Sequence, residues 1–552
     1  MTLSNDARTM TGGEAIVASL IANGVDRVFG IPGAQMYPLF DALQREGARI
    51  QTIGARHEQA CAYMAFGQAR STGRPAVYSV VPGPGVLNTF GALCTAAGCN
   101  APVLCITGQV PAPFIGRGRG HLHELPDQLG SLRGIVKWAA RIERPADAPR
   151  ILDEAFRQML SGRPGPVAVE MAWDVMASSQ HVRPLPGAEI APAEAPQAGE
   201  VERAANLLRN ARQPMIMVGG GAQHAAEEIR ALAEALDAPV AALRSGRGIM
   251  PEDHPLGLSS YAARCLWPKI DVLIGIGSRL EMPYMRWAGM MDLVDRPQAP
   301  PHLIRIDIDP SEMLRLRPHA PIVADSAAGA GALLDALLRA KPDAARRPAI
   351  AAAKEEARAA IATVTPHVDY LAVIRETLPR DGIFVEELCQ AGFASYFAYP
   401  VFAPRTYISA GYQGTLGFGF QTALGVKAAH PETPVISITG DGGFLFGVQE
   451  LATAKQYGLN LVTVLFNNNA YGNVKRDQQV GFGGRLIGSE LVNPDFMMLA
   501  ASFGIEAHRV TSPEELKPVL AAALAADAPV LIEVTVDPAD EVAPWPFIHP
   551  LQ

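Results

Sequence analysis

Asp441 and Asn468 stand 27 positions apart, and each lies just past an apolar run. The run PVISIT (Pro434–Thr439) ends in Gly440-Asp441-Gly442-Gly443, and the run NLVTVLF ends in Asn467-Asn468-Asn469. Between them the helical pattern LFGVQELATAKQY stops at Gly458. This spacing predicts one β-α-β unit with polar residues at the carboxyl ends of both strands. Open parallel sheets bind ligands at that edge, and the crossover helix aims its N-terminal dipole at it. Magnesium prefers six oxygens at ~2.0–2.1 Å and shares them between a carboxylate and phosphates. Asp441 supplies a charged oxygen, Asn468 a neutral one, and the backbone carbonyl of Ala470 a third. Gly440, Gly442 and Gly443 let backbone N–H groups approach phosphate oxygens with no Cβ in the way. The chemistry expected is a diphosphate held through Mg2+. The competing reading is a tight turn after one strand and an Asx-rich turn after another.

Three blocks of alternating strand and helix signals must position these residues. In the first, Thr11-x-x-Glu14 is a capping box ahead of the run IVASLI, and Gly24 stops that helix. Strands are expected at Arg27–Phe29, Ala76–Val81 and Pro102–Thr107, with helices between them, which implies a parallel, doubly wound sheet. From Ser178 to Glu200 four prolines and no periodicity predict a linker. A second α/β block covers Val201–Ala340, with strands at MIMV, DVLIGI and LIRIDI. An Ala- and charge-rich connector with a helix in it, RRPAIAAAKEEARAAIATVTPH, leads to a third block from about Asp369. The sequence leaves open whether the first and third blocks share one fold.

The bulk properties agree with an ordered multidomain protein. A single core stops growing near ~250–300 residues, so 552 residues are expected to form three domains. The net charge of -8 comes with no basic run, which excludes nucleic acid as an expected partner. Six cysteines without a C-x-x-C pair read as buried thiols of a reducing compartment. The N-terminus lacks the apolar core of a signal peptide. Pro75–Gly116 carries no charge, yet Gly or Pro interrupts it too often for a ~20-residue membrane span. It reads as buried strands and a helix, and a cytoplasmic protein without membrane partners is expected.

G-D-G followed by 24 residues and N-N resembles the thiamine diphosphate signature of the acetolactate synthase, pyruvate oxidase, benzaldehyde lyase and 2-keto acid decarboxylase group. Similar segments include ARHEQACAYMAFGQAR (Ala55–Arg70), GPG (Gly83–Gly85), SGRPGPVAVEM (Ser161–Met171), IDIDP (Ile306–Pro310), GTLGFGF (Gly414–Phe420) and NPDF (Asn493–Phe496). The resemblance implies an α/β chain of three doubly wound parallel-sheet domains. These are a pyrimidine-binding domain at 1–180, a central Rossmann-like domain at 190–340 and a diphosphate- and Mg-binding domain at 365–552. Thiamine diphosphate and Mg2+ are the implied cofactors, with Asp441, Asn468 and Ala470 as the metal ligands. Glu58 matches the carboxyl group that the family sets against N1′ of the pyrimidine, where it relays a proton. Taken alone, Glu58 is a helix-dipole partner. Gly414 and Leu416 match the stretch that supports the pyrimidine and bends the cofactor. Gln390, Tyr471 and Gly472 match positions near the diphosphate. Relatives assemble each site from two subunits, so a homodimer or homotetramer is implied. The loop Arg117–Gln128 lies where acetolactate synthases carry a substrate-facing Gln. His121 and His123 stand there instead, and His123 is a candidate to relay protons or bind a carboxylate. The rival reading is a solvated Arg/His loop.

The implied reaction decarboxylates a 2-keto acid and transfers the acyl carbanion to a carbonyl acceptor, as acetolactate synthases do. AWDVM (Ala172–Met176) is similar to lyases of the group, so a benzaldehyde lyase-like or decarboxylase activity on aldehydes or acyloins is the alternative. A non-catalytic cofactor-binding paralogue is a further one. In NNNAYGNVKRDQ, Asp477 falls at or next to the place of a substrate-selecting Trp. Lys475 and Arg476 beside it suit an anionic substrate or a solvated surface. Acetolactate synthases and pyruvate oxidases bind FAD in the central domain. Here Gly219-Gly220-Gly221 continues AQHA without a third Rossmann glycine, and RSGRGIMPEDHPLGLSSYAA replaces the flavin stretch, so FAD is not favoured.

Overall fold

Short apolar runs between amphipathic helices build three parallel sheets in the computed structural model, which describes residues 6–287, 300–337 and 343–549. Ala340, the expected end of the central block, and the outermost ends of the first and third blocks lie outside the described residues. The N-terminal block contains β1 (Arg8–Thr11), β2 (Arg27–Gly30), β3 (Gln51–Gly54), β4 (Ala76–Val80), β5 (Val103–Gln109), β6 (Trp138–Ile142), β7 (Val167–Ala172) and β8 (Ser179–Val182). Its six-stranded sheet runs β3-β2-β4-β5-β7-β6. The second sheet is formed by β9 (Pro214–Val218), β10 (Val240–Ala241), β11 (Gly257–Leu258), β12 (Val272–Ile276), β13 (His302–Asp307) and β14 (Ala320–Val323). The third comprises β15 (Ile383–Val385), β16 (Tyr407–Ile408), β17 (Val435–Gly440), β18 (Val462–Asn467), β19 (Glu506–Val510) and β20 (Val530–Thr535).

The strand orders answer the question left open above. The third sheet runs β16-β15-β17-β18-β20-β19. Numbered from its own first strand, it has the order 2-1-3-4-6-5, which the N-terminal sheet repeats. The central sheet runs β11-β10-β9-β12-β13-β14, the 3-2-1-4-5-6 order of dinucleotide-binding folds. Strands β4, β5, β7, β17 and β18 are buried along their whole length, as parallel strands covered on both faces must be. The uncharged stretch Pro75–Gly116 holds β4, β5 and the helix Phe90–Gly98, and burial accounts for its composition.

The chain divides into two compact units. One comprises Met1–Ala191, Ala410–Pro431 and Gly447–Asn460, the other Pro192–Ser409, Glu432–Phe446 and Leu461–Gln552. In the first unit the helices Glu58–Thr72 and Phe418–Ala429 cross in backbone contact. A Cβ on Gly67 would lie 2.1 Å from the Thr422 carbonyl oxygen, and one on Gly425 would lie 2.0 Å from that of Met64. Only glycine permits this approach. No described helix is long and apolar enough to cross a membrane.

Two expectations need correction. Within the expected linker, Ser179–Val182 is β8, paired antiparallel with β1, and a helix opens at Ala198. Only Val182 of β8 is buried, so this edge ribbon carries no apolar period to read. The pattern LFGVQELATAKQY is not one helix. After a single helical turn at Asp441–Phe444, it divides into a 3-10 turn at Val448–Glu450 and a helix at Leu451–Gln456. Gly447 sits at the break, where a Cβ would collide with the Gln421 side chain at 2.6 Å.

Candidate active site

β17 and β18 are neighbours with Gly440 opposite Phe466, so Asp441 and the Asn467–Asn469 turn emerge side by side at the carboxyl edge of the third sheet. Asp441 is 2% exposed. The Asn493 amide donates to Asp441 Oδ2 at 2.7 Å, to Asn467 Oδ1 at 3.1 Å and to Asn469 Oδ1 at 3.2 Å. Asn469 takes a left-handed backbone (φ 54°), which asparagine tolerates and which turns the chain after β18. The Asn468 amide nitrogen is held by both Glu541 oxygens at 3.2 Å, and its Oδ1 accepts from the Ala470 N–H at 3.2 Å. Residues 489–491 clamp the same turn, since Tyr471 N–H donates to the Ser489 carbonyl and Leu491 N–H to that of Asn469, each at 2.9 Å.

The glycines here serve side-chain packing. A Cβ on Gly442 would lie 2.4 Å from the Tyr471 ring, and one on Gly472 would lie 2.6 Å from the Asn468 amide nitrogen. Gly440 and Gly443 have looser surroundings, with nearest approaches of 3.0 Å to Cys389 and 3.4 Å to Glu387. Gln390 opens the helix Gln390–Ala398 and accepts from Arg476 at 3.4 Å. Arg476 also bonds Asn473 and lies 3.6 Å from Asp477, while Lys475 pairs with Glu490 at 3.0 Å. The charges beside the turn are thus matched within the protein.

The carboxyl edge of the N-terminal sheet carries a different set. Glu58 is the first residue of its helix, which is capped by His57 Nδ1 accepting from Gln59 N–H at 3.2 Å. The fully buried Glu450 carboxylate receives the N–H groups of Arg56 and His57 at 3.0–3.1 Å and the Thr453 hydroxyl at 2.6 Å. It thereby fixes the turn that presents Glu58. Asn88 donates to Glu58 Oε2 at 3.1 Å.

His123 lies on the loop after β5, with Nδ1 2.7 Å from Gln35 Oε1. Burial pulls its imidazole down and the Glu58 charge pushes it up, with burial prevailing. Gly83 (φ 63°) passes beneath the loop so closely that a Cβ would lie 2.5 Å from the His123 carbonyl oxygen. Its N–H donates to Gln128 at 2.8 Å. Gln128 in turn donates to the buried Glu170, which Arg141 pairs at 2.6 Å. His121 instead packs its ring, tilted by 32°, against Phe114 with centroids 4.4 Å apart. Gly414 (φ 57°) and the half-buried Leu416 lie in the loop that leads into the helix Phe418–Ala429.

Three family models match the chain. They are the thiamine pyrophosphate enzyme N-terminal TPP binding domain over residues 10–131, the central domain over 201–337, and the C-terminal TPP binding domain over 389–534. The chain belongs to the thiamine pyrophosphate enzyme family. It is 34% identical to a probable acetolactate synthase large subunit of Methanocaldococcus jannaschii, over 98% of this chain and 94% of that protein. It is also 34% identical to the acetolactate synthase isozyme 2 large subunit of Escherichia coli, over 98% of both chains. A probable 2-ketoarginine decarboxylase of Pseudomonas aeruginosa matches at 34% over 96% of this chain and 94% of its own length.

In terms of this family, Glu58 and His123 fall in the N-terminal TPP binding domain. Gln390, Gly414, Leu416, Gly440, Asp441, Gly442, Gly443, Asn468, Ala470, Tyr471 and Gly472 fall in the C-terminal one. The second unit gathers Gln390, Asp441, Asn468 and their glycines at one sheet edge, and the first unit gathers Glu58 and His123. The residues present fit Mg2+. Burial pushes the Asp441 carboxyl up against the Asn493 amide and nearby backbone N–H groups, and no described Lys or Arg pairs with it. A carboxylate this buried calls for a cation, and one carboxylate with neutral oxygens suits an ion that shares phosphates.

Sequence reading missed Glu541, Glu450, Asn88, Gln35 and Gln128, and gave Asn493 no role. NPDF carried a signal for Asn493. The others belong to no pattern that the sequence marks, and only the tertiary fold shows what they touch.

Proposed function

We propose that this family member is a Mg2+-dependent carboligase that takes a 2-keto acid as donor and a carbonyl compound as acceptor. The observation that carries the metal and cofactor assignment is the buried Asp441 carboxylate in the C-terminal TPP binding domain, bonded by the Asn493 amide and, among the described residues, without a cationic side chain. Similarity to acetolactate synthases along nearly the whole chain supports ligation. Equal identity to a 2-ketoarginine decarboxylase supports the second reading, decarboxylation with release of the aldehyde.

When bound, thiamine diphosphate supplies a nucleophilic carbon and an electron sink for acyl transfer. Asp441 Oδ, Asn468 Oδ1 and the Ala470 carbonyl would hold Mg2+, with Gln390, Gly440, Gly442, Gly443, Tyr471 and Gly472 around the diphosphate. Gly414 and Leu416 would border the pyrimidine. Asn88 donates to Glu58 Oε2, so Oε1 would be the oxygen to share a proton with N1′. His123 would move a proton to or from the carbonyl substrate. Domain boundaries at 1–180, 190–340 and 365–552, a homo-oligomeric site and a cytoplasmic location complete the reading, on resemblance.

No flavin takes part in this proposal, and the packing at the switch point of the central sheet supports leaving it out. The Arg244–Glu281 ion pair, 2.5 Å long, joins the segments after β10 and β12 across the end of β9, at the strand-order switch where a dinucleotide would bind. Gly219 packs so tightly there that a Cβ would lie 2.2 Å from the Gly277 carbonyl oxygen. Flavin absorbance near stoichiometry in the purified protein would overturn that point.

The test of function is incubation with thiamine diphosphate, Mg2+ and a panel of 2-keto acids, alone and with aldehydes or ketones, and separately with acyloins. A hydroxyketone or acetohydroxy acid product is expected. Release of the aldehyde alone favours the decarboxylase reading, cleavage restricted to acyloins favours the lyase, and no turnover on any of them sinks the proposal.

A further inference from the structure

Among the non-glycine residues with left-handed backbone, Gln35 (φ 69°) and His123 (φ 67°) form a pair joined side chain to side chain. Such backbone costs of order 1 kcal/mol or more and persists where the surroundings hold it. Gln35 is 4% exposed and lies just past β2, and His123 lies on the loop that leaves β5. The pair therefore sits at the same sheet edge as Glu58.

The hydrogen-bond inventory fixes the imidazole. Gln35 Nε2 lies 2.7 Å from the Leu122 carbonyl oxygen, which can only accept, so that atom must be the amide nitrogen. Gln35 Oε1 then faces His123 Nδ1 at 2.7 Å, and an amide oxygen can only accept. His123 Nδ1 must carry the hydrogen. In the neutral ring this leaves Nε2 with its lone pair, and no hydrogen bond engages Nε2 among the described residues. Glu58, on its helix, is the charged group whose field reaches the ring. On the loop itself, Glu124 is turned to the N–H groups of Gly118 and His121, and the His121 ring packs against Phe114.

We propose that Gln35 is a positioning residue that locks His123 in the Nδ1–H tautomer and presents Nε2 as a neutral proton acceptor at the Glu58 edge. This rests on the reading of His123 as a proton-moving residue, and it decides between that role and a cationic carboxylate anchor. An anchor needs the imidazolium. Gln35 holds the neutral ring equally well, and burial favours that form. The matching substrate group is a hydroxyl, whose proton Nε2 accepts.

The test uses the full-length holoenzyme with 15N-labelled histidine, the His123 signals being assigned by comparison with His123→Asn. Nδ1–H with an unprotonated Nε2 at pH 7.5 supports the lock, whereas an Nε2–H tautomer or an imidazolium overturns it. The second arm is the pH profile of kcat/KM. Gln35→Glu places a carboxylate on Nδ1–H and should move the acid limb up by about one unit or more. Gln35→Met should lower kcat about tenfold or more without moving that limb upward. A folded Gln35→Glu protein with an unmoved limb would overturn the proposal. Full turnover by His123→Ala would instead sink the proton-moving reading, while the spectrum still judges the Gln35 contact by itself.

Discussion

The N-terminal and C-terminal sheets repeat one strand order and pair a buried glutamate with an arginine on the equivalent strand, Glu170 with Arg141 and Glu533 with Arg509, yet the carboxylates Glu450 and Asp441 differ in the donors they meet. At the first edge Glu170 is paired with Arg141 and bonded by Gln128, and Glu450 receives four hydrogen bonds from N–H and O–H donors. At the third edge Asp441 takes one side-chain hydrogen bond, from Asn493, and no described cation. In the proposed reading, Glu450 is satisfied by the protein where it positions a proton carrier, and Asp441 is left without a described cation where Mg2+ would bind. Topology places both edges, but donor supply decides what each can bind.

The sharpest way to break the comparison is Glu58→Gln. This change leaves an amide oxygen for the Asn88 contact and keeps the helix start, and removes the ionisable carboxyl group. Turnover should fall about 10²–10⁴-fold, the range of general acid–base catalysis, while the rise in melting temperature caused by thiamine diphosphate and Mg2+ persists. Near-parental turnover would remove Glu58 from the chemistry. A different result is expected at Glu450, where the carboxylate is structural. Glu450→Ala strands the Arg56 and His57 N–H groups and should cost about 3 kcal/mol in denaturant unfolding, at ~1–3 kcal/mol for each buried donor left unmet.

Asp441→Asn tests the other edge. The Mg2+ concentration that half-stabilises the protein with thiamine diphosphate should rise about a hundredfold, a loss that Glu58→Gln should not reproduce. Without metal the same variant should be at least as stable as the parent, because an uncompensated buried charge is gone. The sign with pH follows from the raised Asp441 carboxyl. Between the unfolded carboxyl value near ~3.9 and the raised folded value, the folded chain keeps a proton that the unfolded chain has lost. Parental stability without metal therefore falls as pH rises through that window, and Asp441→Asn should flatten the slope. A parental slope in the variant would mean that Asp441 is not its source.

Much of both edges was legible in the sequence because their principal residues sit at strand ends or helix starts, where local patterns mark them. Asp441 and the asparagine turn close buried apolar runs, and Glu58 opens a helix. The segmented crossover was not legible, since Gly447 breaks a pattern whose apolar spacing stays helical. Nor was β8, whose single buried residue leaves no period. Gln35 and Glu541 belong to neither pattern. Their meaning arises from partners 88 and 73 positions away, His123 and Asn468.

Glu541 provides the smallest and most discriminating test of the third edge. Both of its oxygens bond the Asn468 amide nitrogen, and His367 Nε2 approaches one of them at 3.3 Å. Holding the nitrogen on that side fixes which face of the amide offers Oδ1, which an unrestrained asparagine would leave free to flip. A group that orients a metal ligand typically contributes ~10–100-fold in affinity. Glu541→Gln keeps one acceptor oxygen for the Asn468 amide and removes the negative charge, so the lower end of that range is expected. The Mg2+ midpoint should rise about tenfold, against about a hundredfold for Asp441→Asn, with turnover at saturating Mg2+ close to the parent. If Glu541→Gln equals Asp441→Asn in effect, Glu541 is itself a ligand, and the third edge uses two carboxylates rather than one.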